Sequence, residues 1–204
     1  GPDVEVKSKR IGGGNYQTPG GRGGGGAGLG GAVFNDGGSV TITNSTFAGN
    51  QALGGLGGSD QWGGAAGQNG EGFGGGLFNR NGSVTITNAT IAFNSADDGT
   101  GIYNLGDGSS AGIASLTMTN SIVDPPGNAG NRDVVNNTIS GGMTTLSGSH
   151  NLVMSSNVNP DDLGIISTAN PLLAPLANYG GPTQTFALLP DSPALNAGTN
   201  LGAP

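Results

Sequence analysis

Gly30-Gly31-Ala32-Val33-Phe34-Asn35 leads through Asp36-Gly37-Gly38 into Ser39-Val40-Thr41-Ile42-Thr43-Asn44-Ser45-Thr46-Phe47. Forty-four residues later Gly74-Gly75-Gly76-Leu77-Phe78-Asn79 leads through Arg80-Asn81-Gly82 into Ser83-Val84-Thr85-Ile86-Thr87-Asn88-Ala89-Thr90-Ile91. A third copy opens at Gly99-Thr100-Gly101-Ile102-Tyr103-Asn104 and, after a seven-residue insertion, resumes as Ser115-Leu116-Thr117-Met118-Thr119-Asn120-Ser121-Ile122. A short unit that recurs in this way cannot bury its apolar face alone and does so against its neighbours, which is how a solenoid is written in sequence.

Inside each copy the period is two. Val40 and Ile42, Val84 and Ile86, and Leu116 and Met118 share one side, while Thr41/Thr43, Thr85/Thr87 and Thr117/Thr119 take the other. That alternation predicts strands with one buried and one solvated face. Phe47, Ile91 and Ile122 break the parity, so a bend follows each strand. The 25-residue spacing between the second and third copies fits one turn of a parallel β-helix, each coil adding a rung of about 4.8 Å. Val134-Val135-Asn136, Met143-Thr144-Thr145-Leu146 and Asn151-Leu152-Val153-Met154 read as a fourth, irregular coil.

The expected fold is therefore all-β, a solenoid of about four coils. Residues 1–29 form an N-terminal segment with a Gly-rich loop. Residues 30–159 form the coils, interrupted by a Gly-rich insertion at 51–73. Residues 160–204 form a capping or wrapping segment: Pro160, Pro171, Pro175, Pro182, Pro190 and Pro193 exclude central strands there.

Asparagines recur at fixed slots: Asn35, Asn79 and Asn104; Asn44, Asn88 and Asn120; Asn50 and Asn94. At rung spacing their amides can bond to one another and to turn backbone, as structural ladders. Asn44-Ser45-Thr46, Asn88-Ala89-Thr90 and Asn136-Asn137-Thr138 also fit the glycosylation sequon, against which burial of a ladder would count. In the Gly-rich insertion, glycine at every third place (Gly64, Gly67, Gly70) suits either an irregular loop or polyproline-II segments packed side by side. Trp62 is a clasp for that loop or a platform for sugar rings.

Composition narrows the function. Among 204 residues there are 44 glycines, only six Lys or Arg, a net charge of −7 and no cysteine. Six cations give no footprint for nucleic acid or an anionic membrane, and no apolar run is long enough for membrane insertion. Disulfides, thiolate metal sites and thiol chemistry are excluded. The Gly1-Pro2 start reads as an expression remnant, so the missing leader carries no weight about export.

The repeat unit, with Gly30-Gly31-Ala32-Val33 and Phe47-Ala48-Gly49-Asn50 standing as its two short signatures, resembles bacterial polymorphic outer-membrane-protein-like right-handed β-helices. The tail, from Asn170-Pro171-Leu172-Leu173 through Tyr179-Gly180-Gly181-Pro182-Thr183-Gln184-Thr185 to Pro190-Asp191-Ser192-Pro193-Ala194-Leu195-Asn196-Ala197-Gly198, is similar to the end of the choice-of-anchor Q domain. That family usually has Asp where Asn170 and Asn196 stand, and lacks Tyr179. The resemblance spans roughly residues 28–200. It implies right-handed winding, an extracellular or cell-surface location in bacteria and no agreed catalytic residues.

Enzymes on β-helices act on polysaccharides, so that reading is the alternative. A lyase needs a base and a cation for the uronate; outside the N-terminal segment only Arg80, Arg132 and His150 are on offer, in separate contexts. Arg80 takes the slot of Asp36 and reads as half of a salt bridge between rungs, while His150 reads as structural. An inverting hydrolase needs two carboxyls about 6.5–9.5 Å apart. Asp97, Asp98 and Asp107 are the weak catalytic candidates, and the same oxygens are the candidate ligands of a structural Ca2+, with no other cofactor called for. Thr41, Thr43, Thr85, Thr87, Thr117 and Thr119, with Trp62, are the candidate binding residues. The threonine array also suits ice binding, against the simpler reading that Thr is a good residue for a solvated strand. The sequence points first to a non-enzymatic structural or adhesin module of the cell surface. Its partners would be its own copies, in a filament or sheath, or surface glycans and proteins.

Overall fold

The computed structural model describes residues 24–59, 66–110, 112–125 and 130–200. The strands fall into tiers that repeat the sequence copies. The first tier is β1 (Gly28–Leu29), β2 (Val33–Asp36), β3 (Ser39–Thr43) and β4 (Thr46–Ala48). The second is β5 (Gly72–Phe73), β6 (Leu77–Arg80), β7 (Ser83–Thr87) and β8 (Thr90–Ala92). The third is β9 (Ile102–Asp107), β10 (Ile113–Thr119) and β11 (Ile122–Asp124). The fourth is β12 (Val134–Ile139), β13 (Met143–Ser149) and β14 (Asn151–Val153), followed by helix α1 (Pro160–Leu163) and β15 (Ile165–Ser167).

The chain visits three sheets in rotation, ordered β2-β6-β9-β12, β3-β7-β10-β13 and β4-β8-β11-β14-β15, and every pairing is parallel. The architecture is thus nearly all-β with parallel sheets, compatible with a parallel β-helix. The tiers keep one register, slipping only between β14 and β15. Ile42 lies beside Ile86 and Ile86 beside Met118. Val33, Leu77, Ile102 and Val134 make a second column. Phe47, Ile91, Val123 and Val153 make a third. These columns form one apolar core, in which Ile86, Met118, Ile102, Val123 and Val134 are fully buried. Period-two alternation puts them there because successive side chains of a strand face opposite ways.

The bends that break the parity have a backbone cause. Asn44, Asn88 and Asn120 sit at φ 51°, 53° and 51°, the left-handed region that Asn tolerates better than most residues. His150, at φ 55°, occupies the same corner of the fourth tier. The insertion in the third copy lengthens β9 and β10: Leu105–Asp107 pair with Asn137–Ile139, and Ile113-Ala114 with Met143-Thr144. It is a two-sheet outgrowth shared by the last two tiers.

Beside the first two tiers three glycine-rich segments pack against one another. The Gly25 N–H donates to Gln68 O, Gly55 N–H to Gly26 O and Gly70 N–H to Gly55 O, at 2.7–2.8 Å, closing a ring of bonds among the three. Burial recurs every third residue, at Gly25 and Gly28, at Gly54 and Gly57, and at Gly67 and Gly70. A three-residue period with bonds between segments is compatible with polyproline-II packing. A Cβ on Gly54 would lie 2.0 Å from Gly70 O, and one on Gly70 would lie 2.1 Å from Gly26 O, so side chains do not fit. Trp62 and Gly64 lie outside the described residues.

The proline-rich end does two things. Asn159 caps α1, which seats the fully buried Leu163 in the core, and Gly164 ends the helix at φ 57°. The tail then folds on itself through antiparallel bridges Leu173–Leu188 and Ala177–Thr185. It returns along the third sheet, where Phe186 meets Phe93 at 5.3 Å and Thr199 exchanges two backbone bonds with the Asn120 amide.

Candidate functional site

The outward face of the sheet β3-β7-β10-β13 carries the threonines singled out by the sequence. Ser39, Thr41 and Thr43 lie over Ser83, Thr85 and Thr87, then Ser115, Thr117 and Thr119, then Thr145, Ser147 and Ser149. All twelve positions are hydroxyls, each exposed or half-buried. The fourth row was not legible from the Thr-x-Thr pattern, because Ser stands in two of its places. Thr117 and Ser147 bring their hydroxyl oxygens to 2.9 Å, a direct contact between tiers.

This sheet is bracketed by asparagine ladders. On the side entering it, Asn35 donates to Asn79, Asn79 to Asn104 and Asn104 to Asn136, at 2.7, 2.7 and 2.8 Å. Asn35, Asn79 and Asn104 are buried and also donate to backbone carbonyls, of Gly38, Gly82 and Ala114. On the leaving side Asn120 donates to Asn88 and Asn88 to Asn44, at 3.2 and 3.1 Å. A third slot is bonded too, with Asn50 donating to Asn94 at 2.8 Å. The sequon asparagines Asn44, Asn88 and Asn136 all belong to these chains.

The three candidate carboxylates do not converge. Asp107 ends β9 and receives both Nε and Nη2 of Arg80 on one oxygen, at 3.1 and 2.7 Å, while Nη1 of Arg80 reaches Asp36 at 3.4 Å. Bonds from Ser109 and Arg80 hold the Asp107 carboxyl down at about 2. Asp97 and Asp98 precede β9 while Asp107 ends it, and each engages different partners. Asp97 accepts from Gly72 N–H at 2.6 Å and Asp98 pairs with Arg132 at 3.0 Å. With Glu71, Phe73 and Asn131 they line an open cleft of about 310 Å3. Among the described residues no three His, Cys, Asp or Glu side chains form a group that could hold a metal ion, so the Ca2+ set does not assemble. No helix among them is long and apolar enough to cross a membrane.

Two buried carboxyls escaped the sequence reading. Asp133 is fully buried, accepting from the Thr100 hydroxyl at 3.1 Å and from Ser155 N–H at 2.8 Å; burial pushes it up to about 7. Asp124, beside Ala92 on β11, is pushed up to about 6 by burial. The signal was an Asp directly abutting apolar strand residues, in Ile122-Val123-Asp124 and Asp133-Val134-Val135. Phe34, Phe78 and Tyr103 stack at 5.8 and 5.5 Å, but Phe78 and Tyr103 are buried, so this stack is not an open platform.

Comparison with known proteins gives no matching family model, no similar curated protein and no similar solved structure.

Proposed function

We propose that the chain is a right-handed parallel β-helix of about four coils, of the choice-of-anchor Q and polymorphic outer-membrane-protein-like kind. It would serve as a non-enzymatic, extracellular structural and adhesion module of a bacterial surface protein. The observation that carries the reading is register: four tiers stack side chain over side chain in two of the three sheets without a slip. A quasi-one-dimensional stack of this kind is a stiff spacer with extended flat faces, suited to contact rather than to enclosing a substrate. Arg80, between Asp36 and Asp107, and Arg132, paired with Asp98, are spent on the scaffold. Leu53 and Leu56, 66% and 84% exposed on the glycine-rich flank, are the contact through which copies would associate into a filament or sheath.

The second reading, a polysaccharide hydrolase, rests on the cleft at Asp97 and Asp98. A glycan array read beside reducing-sugar and unsaturated-uronate assays, with sedimentation velocity over a concentration series, separates the two. Glycan binding or association without turnover is expected. Turnover that disappears in Asp97→Asn would overturn the structural reading.

A further inference from the structure

We propose that the hydroxyl face of β3-β7-β10-β13 is an ice-binding surface. The inference needs only the stacked sheet, and does not depend on the adhesion reading.

Its first support is periodicity in two directions. Hydroxyls repeat along each strand every second residue, about 6.6 Å, and between tiers at about 4.8 Å. The register holds across all four strands, so the positions form a lattice rather than scattered polar groups. Those two spacings lie close to repeats of the oxygen lattice on a face of hexagonal ice.

The asparagine ladders come next. Parallel sheets ordinarily twist between neighbouring strands, and flat ones are held by stacking or by side-chain ladders. Here one asparagine ladder runs along each margin of the sheet, Asn35 to Asn136 on one side and Asn44 to Asn120 on the other. Each amide bonds the one above or below, which opposes rotation of one tier on the next.

Chemistry then selects the occupant. The twelve positions bear no charge on a chain whose net charge is −7, so they match an uncharged surface and offer nothing to an ionic partner. They include no aromatic ring, and a glycan on an open face would lack both stacking and enclosure. Ordered water needs neither. A hydroxyl donates once and accepts twice, so it can replace a lattice water. Two of the three columns, Thr41-Thr85-Thr117 and Thr43-Thr87-Thr119, are threonine in the first three tiers, and β-branching restricts χ1, fixing hydroxyl and methyl together.

The test is uptake of the full chain into a slowly grown ice hemisphere, with thermal hysteresis measured on the same samples. The wild type is expected to enter the ice and to shape crystals. Thr85→Tyr, in the middle of the face, is expected to lose both, while Thr138→Tyr, exposed on β12 outside the face, retains them. Circular dichroism melting checks folding of each. Should Thr85→Tyr fail to fold, Thr41→Tyr on β3, the end strand of this sheet among the described residues, replaces it. Exclusion of the folded wild type from ice, or uptake unchanged in a folded face variant, overturns the proposal. So would glycan capture by this face without ice uptake.

Discussion

Replacing Asn79 by alanine probes the scaffold at its centre. Asn79 is fully buried between Asn35 and Asn104. It accepts from the Asn35 amide at 2.7 Å and donates to Gly82 O at 2.9 Å and to Asn104 Oδ1 at 2.7 Å. Its removal affects these partners unequally. Asn35 keeps its bond to Gly38 O, and Gly82 O keeps the Ser115 N–H. Asn104 Oδ1 loses its donor and becomes a buried orphan acceptor. Three lost bonds at about 1 kcal/mol each, plus about 1–3 kcal/mol for the orphan, give roughly 4–6 kcal/mol. That is a large part of the 5–15 kcal/mol typical of a domain. The assay is urea unfolding followed by circular dichroism, where the midpoint should fall steeply at unchanged m-value. Asn44→Ala, at the exposed end of the other ladder with one inter-tier bond, should cost about 1–2 kcal/mol, mostly from the left-handed backbone. Equal small losses in the two variants would refute the ladder account.

The raised carboxyls give stability a definite pH sign. From the ordinary 3.8 up to about 7 the folded chain keeps a proton on Asp133 that the unfolded chain has released. Stability should therefore fall as pH rises through that window and level off above it, by an amount on the order of 4 kcal/mol; Asp133→Asn should flatten the profile in thermal melts at pH 5 and 8. Asp107 acts the other way: its lowered value, about 2, stabilises the fold above pH 4, and that contribution is lost as pH falls through 2, so Asp107→Asn should be less stable than wild type at neutral pH. Gly70→Ala places a Cβ against Gly26 O and should open the glycine-rich bundle to limited proteolysis within residues 53–59 and 66–71, while tiers three and four stay resistant.

Much of the scaffold was legible because its rule is local. Alternation of Val40, Thr41, Ile42 and Thr43 sets inside from outside, and the same letters in the next copies set the register. The asparagine slots were visible for the same reason, since a stacked amide bonds an identical neighbour. What escaped lies where the copies diverge. His150 stands in the corner that Asn44, Asn88 and Asn120 hold, and only alignment of Ser149-His150-Asn151 with Thr119-Asn120-Ser121 shows it. The Arg80–Asp107 pair depends on the insertion lengthening β9, a distance that the repeat does not encode. Asp124 ends β11 and Asp133 directly precedes β12, and their burial comes from tertiary packing.

Axial stacking of the core is tested most directly by methyl nuclear Overhauser spectroscopy on chain labelled at isoleucine and methionine. Cross-peaks are expected from Ile86 to both Ile42 and Met118, with a far weaker peak or none between Ile42 and Met118, two tiers or about 9.6 Å apart. Absence of the two neighbour peaks in the folded protein would contradict the tiered account.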